Sequence, residues 1–266
     1  MTLFQVRKLE FAERPVIIGV IHLPPTLGSP LFRNMDEIIE KASKEAVIME
    51  KGGVNGVIVE NFWDVPFYPR RVPPETIASM TLAVNAAVKS SSIPVGVNVL
   101  RNDSLAALAI AKAAGASFIR VNVLMWAYAT DQGILEGEAF RLLRKRRELG
   151  GGVDIFADVR VKHARPIAEQ PIVDEARDLI ERGLADAIIV TGSRTGVPPD
   201  EHLLREIREK LDCKLLIGSG ITPEKADLLR YADGAIVGSY FRGGDLRAPV
   251  DQERVKKLVE VAKRIK

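Results

Sequence analysis

Residues 94–123 read PVGVNVLRNDSLAALAIAKAAGASFIRVNV, a complete strand, helix and second strand in succession. Pro94 to Val99 alternates valine with other residues, the period of a strand with one apolar face. Ser104 to Ala114 is rich in leucine and alanine at helical spacing, and Gly115 stops it. Ser117 to Val123 then resumes the alternation. The unit recurs on both sides. Before it come a strand at Val16 to Ile21, a helix at Met35 to Lys51, a strand at Val54 to Val59 and a helix at Pro74 to Lys89. After it, a helix at Glu136 to Leu149 leads to a fifth strand at Ile155 to Val161 and a helix at Val173 to Arg182. Ala187 to Val190, Lys214 to Ile217 and Gly234 to Val237 are the last three strands. Their helices are read at Asp200 to Leu211, Pro223 to Leu229 and Val250 to Ile265.

Strands alternating with helices specify parallel βαβ units, and eight units in 266 residues allow roughly 33 residues each, the size of a closed (β/α)8 barrel. The competing arrangement is an open doubly wound sheet. Against it, no G-x-G-x-x-G follows the first strand, and the eighth unit is as complete as the others. No linker interrupts the series, so residues 1–266 are expected to form one α/β barrel domain.

The bulk chemistry excludes several classes. With 38 basic and 35 acidic residues the net charge is only +3, too small to indicate nucleic acid. The dense cluster Arg144-Lys145-Arg146-Arg147 reads as a solvated helix face. A single cysteine, Cys213, permits no internal disulfide and fits a reducing compartment. Met1 to Glu13 has no apolar leader segment, and no run approaches the ~20 apolar residues of a membrane span. A cytoplasmic protein is expected.

Alternation also sorts the polar residues. In a barrel one row of each strand faces the helices and must be apolar, while the other faces the axis. Val57 and Val59, Val95 to Val99, Ile119 to Val123 and Ala157 to Val161 supply the apolar rows. Glu60, Asn98, Arg120, Asn122, Asp158, Arg160 and Lys162 are left on the inner parity, with His22 ending the first strand and Thr191 the sixth. All lie toward the carboxyl ends, where barrel enzymes keep their chemistry. An internal ion-pair network is the alternative, and some pairing of Asp158 with Arg120 or Lys162 is required in any case. Glu60, Asp158 and His163 are acid/base candidates, although His163 is off the inner parity and falls on the following loop. Lys162 could form a Schiff base or neutralise a ligand anion. His22, Asn98, Arg120, Asn122 and Thr191 would bind substrate. No metal-ligand spacing and no cofactor motif is present.

The seventh strand is followed by Gly218-Ser219-Gly220 and the eighth by Gly238-Ser239. Glycines let main-chain N–H groups approach an anion, and loops seven and eight are the usual phosphate position in barrels. Gly192, after strand six, could add a donor. A phosphorylated small molecule is therefore the expected ligand. Leu23 to Asn34 and Asn61 to Pro73 are long enough to close over the mouth. The second carries Phe62, Trp63, Phe67 and Tyr68, which would equally suit an oligomer contact.

Several of these segments together resemble the BtpA family. They are Val20-Ile21-His22-Leu23-Pro24-Pro25, Glu60-Asn61-Phe62-Trp63-Asp64-Val65-Pro66-Phe67, Gly96 to Asp103, Arg120 to Val123, Ala157 to Ala164, Val190-Thr191-Gly192, Gly218-Ser219-Gly220 and Asp233 to Gly238. Trp63 stands where the family has a small residue, and Arg160 where histidine is common. The family is named for a role in photosystem I assembly in cyanobacteria but also occurs without photosynthesis. Its barrel is similar to ribulose-phosphate-binding barrels such as phosphoribosylanthranilate isomerase. The resemblance thus implies an isomerase or lyase acting on a phosphorylated sugar or phosphoribosyl-type metabolite, and a homo-oligomer. It implies, alternatively, a non-enzymatic biogenesis factor associating peripherally with a membrane complex, or a phosphometabolite sensor.

Overall fold

The computed structural model describes residues 7–12 and 15–265. Part of the amino-terminal segment read as lacking a leader lies outside them. In chain order the strands are β1 (Val16–His22), β2 (Gly56–Glu60), β3 (Val95–Asn98), β4 (Phe118–Val121), β5 (Ala127–Thr130), β6 (Gly133–Glu136), β7 (Asp154–Val159), β8 (Ala164–Pro166), β9 (Ala187–Val190), β10 (Leu215–Ile217) and β11 (Gly234–Val237). Eight of them close a parallel barrel in the order β1-β2-β3-β4-β7-β9-β10-β11, with β11 returning to β1. Each barrel strand pairs with the next one along the chain, as short right-handed βαβ crossovers require.

Two apolar layers follow from the alternation. Ile17, Val57, Val97, Ile119, Ile155, Ile188, Leu215 and Ala235 face outward, into the main core beneath the helices. Ile18, Ile58, Phe118, Phe156, Ile189, Leu216 and Ile236 fill the barrel interior. Within that interior the Phe118 and Phe156 rings stack with centroids 4.8 Å apart. Gly96 occupies the same layer on β3, where any Cβ would collide with the Phe118 ring.

The covering helices are α1 (Met35–Lys51), α2 (Pro74–Ser90), α3 (Ser104–Ala114), α4 (Ala139–Glu148), α5 (Ile172–Glu181), α6 (Glu201–Lys210) and α7 (Gln252–Ala262). Asn34, Asp103, Asp200 and Asp251 accept hydrogen bonds from first-turn N–H groups of α1, α3, α6 and α7. In the seventh unit the expected α-helix is instead a 3-10 segment, Pro223–Tyr231.

Sequence reasoning missed one element. Strands β5, β6 and β8 form a separate antiparallel sheet, where 124–135 had shown no strand and a helix was expected from Glu136. Its Tyr128 and Leu135 pack on Val123 and Val161, which continue the outer rows of β4 and β7. The sheet therefore extends the barrel wall upward beside the mouth.

Candidate functional site

Directly above the Phe118–Phe156 layer, the inner rows turn polar. The Arg120 Nε and Nη2 donate to Asp158 Oδ1 and Oδ2 at 3.1 and 3.0 Å, and Nη1 donates to Glu60 Oε1 at 3.2 Å. The Asn122 amide donates to Asp158 Oδ2 at 2.8 Å, and Asn98 Nδ2 donates to Asn122 Oδ1 at 3.0 Å. All five side chains are buried. Burial alone would depress the Arg120 guanidinium, but Asp158 and Glu60 outweigh it and push its pKa up. The inner parity assigned to Glu60, Asn98, Arg120, Asn122 and Asp158 is thus observed.

Over this floor lies a small cavity of about 40 Å³, lined by His22, Glu60, Phe62, Arg120 and Lys162 together with 218–220 and 238–239. The Lys162 ammonium is held down at about 8, first by burial and then by Arg120 and Arg101, against the opposing pull of Glu60 and Asp158. His22 stacks on Phe62 with centroids 4.1 Å apart. Burial, then the cations Arg242, Lys162, Lys41 and Arg120, lower its pKa well below the ordinary value, so the imidazole is neutral. Among the described residues its buried Nδ1 has no hydrogen-bond partner.

The two glycine loops form the opposite wall. Gly220 holds φ +75°, and a side chain there would strike the Pro198 backbone. Ser219 Oγ accepts from Gly192 N–H at 3.2 Å and donates to Val197 C=O at 2.7 Å, so its hydroxyl fixes the neighbouring loop. Among the hydrogen bonds between described residues, none uses the N–H of Ser219, Gly220, Gly238 or Ser239. Gly238 is held from behind by Arg242, whose Nη1 donates to the Gly238 and Val20 carbonyls while Nη2 donates to Glu45 on α1.

Other expected residues fall elsewhere. Arg160 is not on the inner row: its φ of +55° ends β7, and its side chain donates to Glu175 on α5 and to the Gln170 carbonyl. His163, also at φ +55°, is exposed. It lines a neighbouring rim cavity with Thr191 and Gly192, and among the described residues only Lys162 borders both spaces. The two long loops are pinned together: Thr26 N–H and Oγ1–H each donate to Asp64 at 2.6 Å, and Asn61 bonds to Asp64 and to the Leu100 backbone. Trp63 is half-buried beneath the Arg247 guanidinium. Arg101, which donates to the Lys162 carbonyl, and Arg242 went unnoticed in the sequence because neither sits on a strand row. Among the described residues no cluster of metal-ligating side chains forms, and no helix is long and apolar enough to cross a membrane.

A closed eight-stranded parallel barrel with covering helices, carrying ionisable side chains in a cavity at the carboxyl ends of its strands, is a (β/α)8 barrel. The BtpA family model matches residues 12–264, and the chain belongs to that family. Among its relatives, "Photosystem I biogenesis protein BtpA" of Synechocystis is 45% identical, over 98% of this chain and 91% of that one. The fold is similar to (S)-3-O-geranylgeranylglyceryl phosphate synthase from Thermoplasma acidophilum, solved with its substrate sn-glycerol-1-phosphate (TM-score 0.63, 18% identity, 96% of each chain). It is also similar to N-(5'-phosphoribosyl)anthranilate isomerase from Pyrococcus furiosus (TM-score 0.60, 15% identity, 94% of this chain and 99% of that one).

Proposed function

We propose that this protein is an enzyme, an isomerase or lyase, acting on a phosphorylated sugar or phosphoribosyl-type metabolite. One observation supports the reading above all: Glu60, Arg120, Lys162 and a neutral His22 line the same cavity as the Gly218–Gly220 and Gly238–Ser239 loops. In this reading the loop N–H groups hold the phosphate, as they would any anion meeting several unused backbone donors. Arg120 faces the substrate oxygens, and Glu60, which spends one oxygen on Arg120, moves the proton. The phosphorylated ligands of the two similar barrels sit well with it.

The test uses ribose 5-phosphate against ribose. The phosphate ester should raise the melting temperature and ribose should not, and Ser239→Asp, which adds a carboxylate at the loop, should remove the effect. Phosphorylated sugars that are turned over, followed by phosphorus and proton NMR, should lose about 10²–10⁴ of rate in Glu60→Gln. No thermal shift, or one that Ser239→Asp leaves intact, overturns the phosphate site.

A second reading is favoured by the name of the Synechocystis relative: a biogenesis factor for a membrane complex, working through its surface. That reading predicts no turnover and full complementation by Glu60→Gln. The exposed Ile134, Phe140, Ile167 and Leu184 support a homo-oligomer under either reading. Light scattering that returns only 29.2 kDa would exclude it.

A further inference from the structure

The cations around the mouth are nearly all engaged. Arg120 is held by Asp158 and Glu60, Arg101 by the Lys162 carbonyl, Arg160 by Glu175 and Arg242 by Glu45. Lys162 differs. Its ammonium lines the cavity, yet among the described residues it donates to no acceptor and has no carboxylate within ion-pairing distance. The backbone is shaped to present it. Arg160 and His163, two and one residues away, both take left-handed conformations that side-chain-bearing residues rarely adopt, and Arg101 grips the carbonyl between them.

We propose that Lys162 is a nucleophile forming an imine with the carbonyl carbon of a phosphorylated aldehyde or ketone, a proposal that rests on the phosphate site described above and specifies its chemistry. The ring order supports the geometry. The phosphate loops follow β10 and β11, whereas Lys162 follows β7 and Glu60 ends β2, so the two flank the far side of the axis. An ester anchored at the loops would extend its carbon chain between them.

The step balances without a further reactant. One proton passes from the ammonium to the Glu60 carboxylate by way of a solvent water, since the two groups are not in direct contact. The freed amine attacks the carbonyl carbon, a C–N bond forming as the C=O π bond breaks, and the proton from Glu60 goes to the oxygen. A second N–H proton follows the same route as the hydroxyl departs as water. Ammonium and carbonyl become iminium and one water, with no net proton change. The iminium then withdraws electrons from the adjacent carbon. Loss of a proton there leads to isomerisation and cleavage of a C–C bond to lyase chemistry, so one intermediate serves both reaction types.

The groups facing Lys162 are Arg120 on β4, Glu60 on β2, Asp158 on β7, His22 on β1 and Arg101 after β3. With burial, they leave it at about 8, so a useful fraction is unprotonated near neutral pH.

The experiment incubates the full chain with dihydroxyacetone phosphate and sodium borohydride, then locates the reduced adduct by peptide mass mapping, with melting temperature measured in parallel. The adduct should fall on Lys162, increase with pH up to about 8, and drop about tenfold in Ser239→Asp and with unphosphorylated dihydroxyacetone. It should be absent at residue 162 in Lys162→Arg. Mapping the wild-type chain identifies the lysine even if that variant folds poorly. Adducts spread over surface lysines overturn the proposal. A thermal shift without an adduct overturns the imine but leaves the phosphate reading standing, with Lys162 as a charge partner. Neither shift nor adduct overturns both.

Discussion

Asp158 and Glu60 are both carboxylates on inner rows, yet their surroundings divide their roles. Asp158 is completely enclosed and accepts three hydrogen bonds, two from Arg120 and one from Asn122. Enclosed and turned to Arg120 and Asn122, it positions Arg120. Glu60 gives one oxygen to the same guanidinium and borders the cavity. Asp158→Asn should therefore cost about 3–5 kcal/mol, measured by urea denaturation, because it removes the doubly bonded one of the two carboxylates that balance a buried arginine. A stable but inactive Asp158→Asn protein would move Asp158 into the chemistry. His22 makes a second residue-scale case. Since the fold keeps its imidazole neutral, only the unfolded chain takes up a proton as pH falls below 6.5. Its contribution is complete above that value and is lost on acidification, by up to about 1.4 kcal/mol per pH unit. Melting temperature should thus fall less between pH 7 and 5 in His22→Gln than in the parent; equal slopes would refute the assignment.

At the scale of elements, what was legible depended on how long a pattern ran. Barrel strands announce themselves because one row must be β-branched and apolar over four or more residues, and the same rule places Glu60, Asn98, Arg120, Asn122 and Asp158 without any structure. It fails at Arg160 alone, whose left-handed backbone hands the side chain to Glu175 while Val161 and Lys162 keep their expected sides. The sheet of β5, β6 and β8 was hidden for another reason. Its strands are three or four residues long and half-exposed, with little apolar signal to read. Gly218-Ser219-Gly220 was read for its backbone, but the grip of the Ser219 hydroxyl on the adjoining loop depends on contacts 22 and 27 residues away. Gly96 shows the opposite case, a glycine in a strand whose reason appears only in packing. Gly96→Ala should cost about 1–3 kcal/mol in urea by driving the Phe118 ring off Phe156. Phe118→Leu, costly alone, should make the second change milder; strictly additive losses would show that the ring is not the obstacle.

At the scale of the molecule, a barrel is stable only if its last unit locks onto its first. Parallel pairing of β11 with β1 supplies part of that closure, and a buried ion pair supplies another. Arg242, 197 residues from Glu45 in sequence, reaches across the seam to that carboxylate and to the Val20 carbonyl on β1, while Lys41 holds the other Glu45 oxygen at 2.6 Å. The Arg242 side chain is fully enclosed and Glu45 is 5% exposed. An isolated charge at such a site is far more costly than none. Glu45→Gln should therefore destabilise the chain by about 3–5 kcal/mol, since it strands the guanidinium, and Arg242→Met should cost less, because Lys41 still pairs with the carboxylate. Together the two changes should cost clearly less than their sum, because Arg242→Met removes the charge that Glu45→Gln exposes. The seam also sets Gly238, whose carbonyl Arg242 holds, so both single variants should weaken ribose 5-phosphate binding along with stability. Additive losses in the double variant would mean that the pair is not the closure it resembles. Unchanged phosphate affinity in either single variant would separate the seam from the loop.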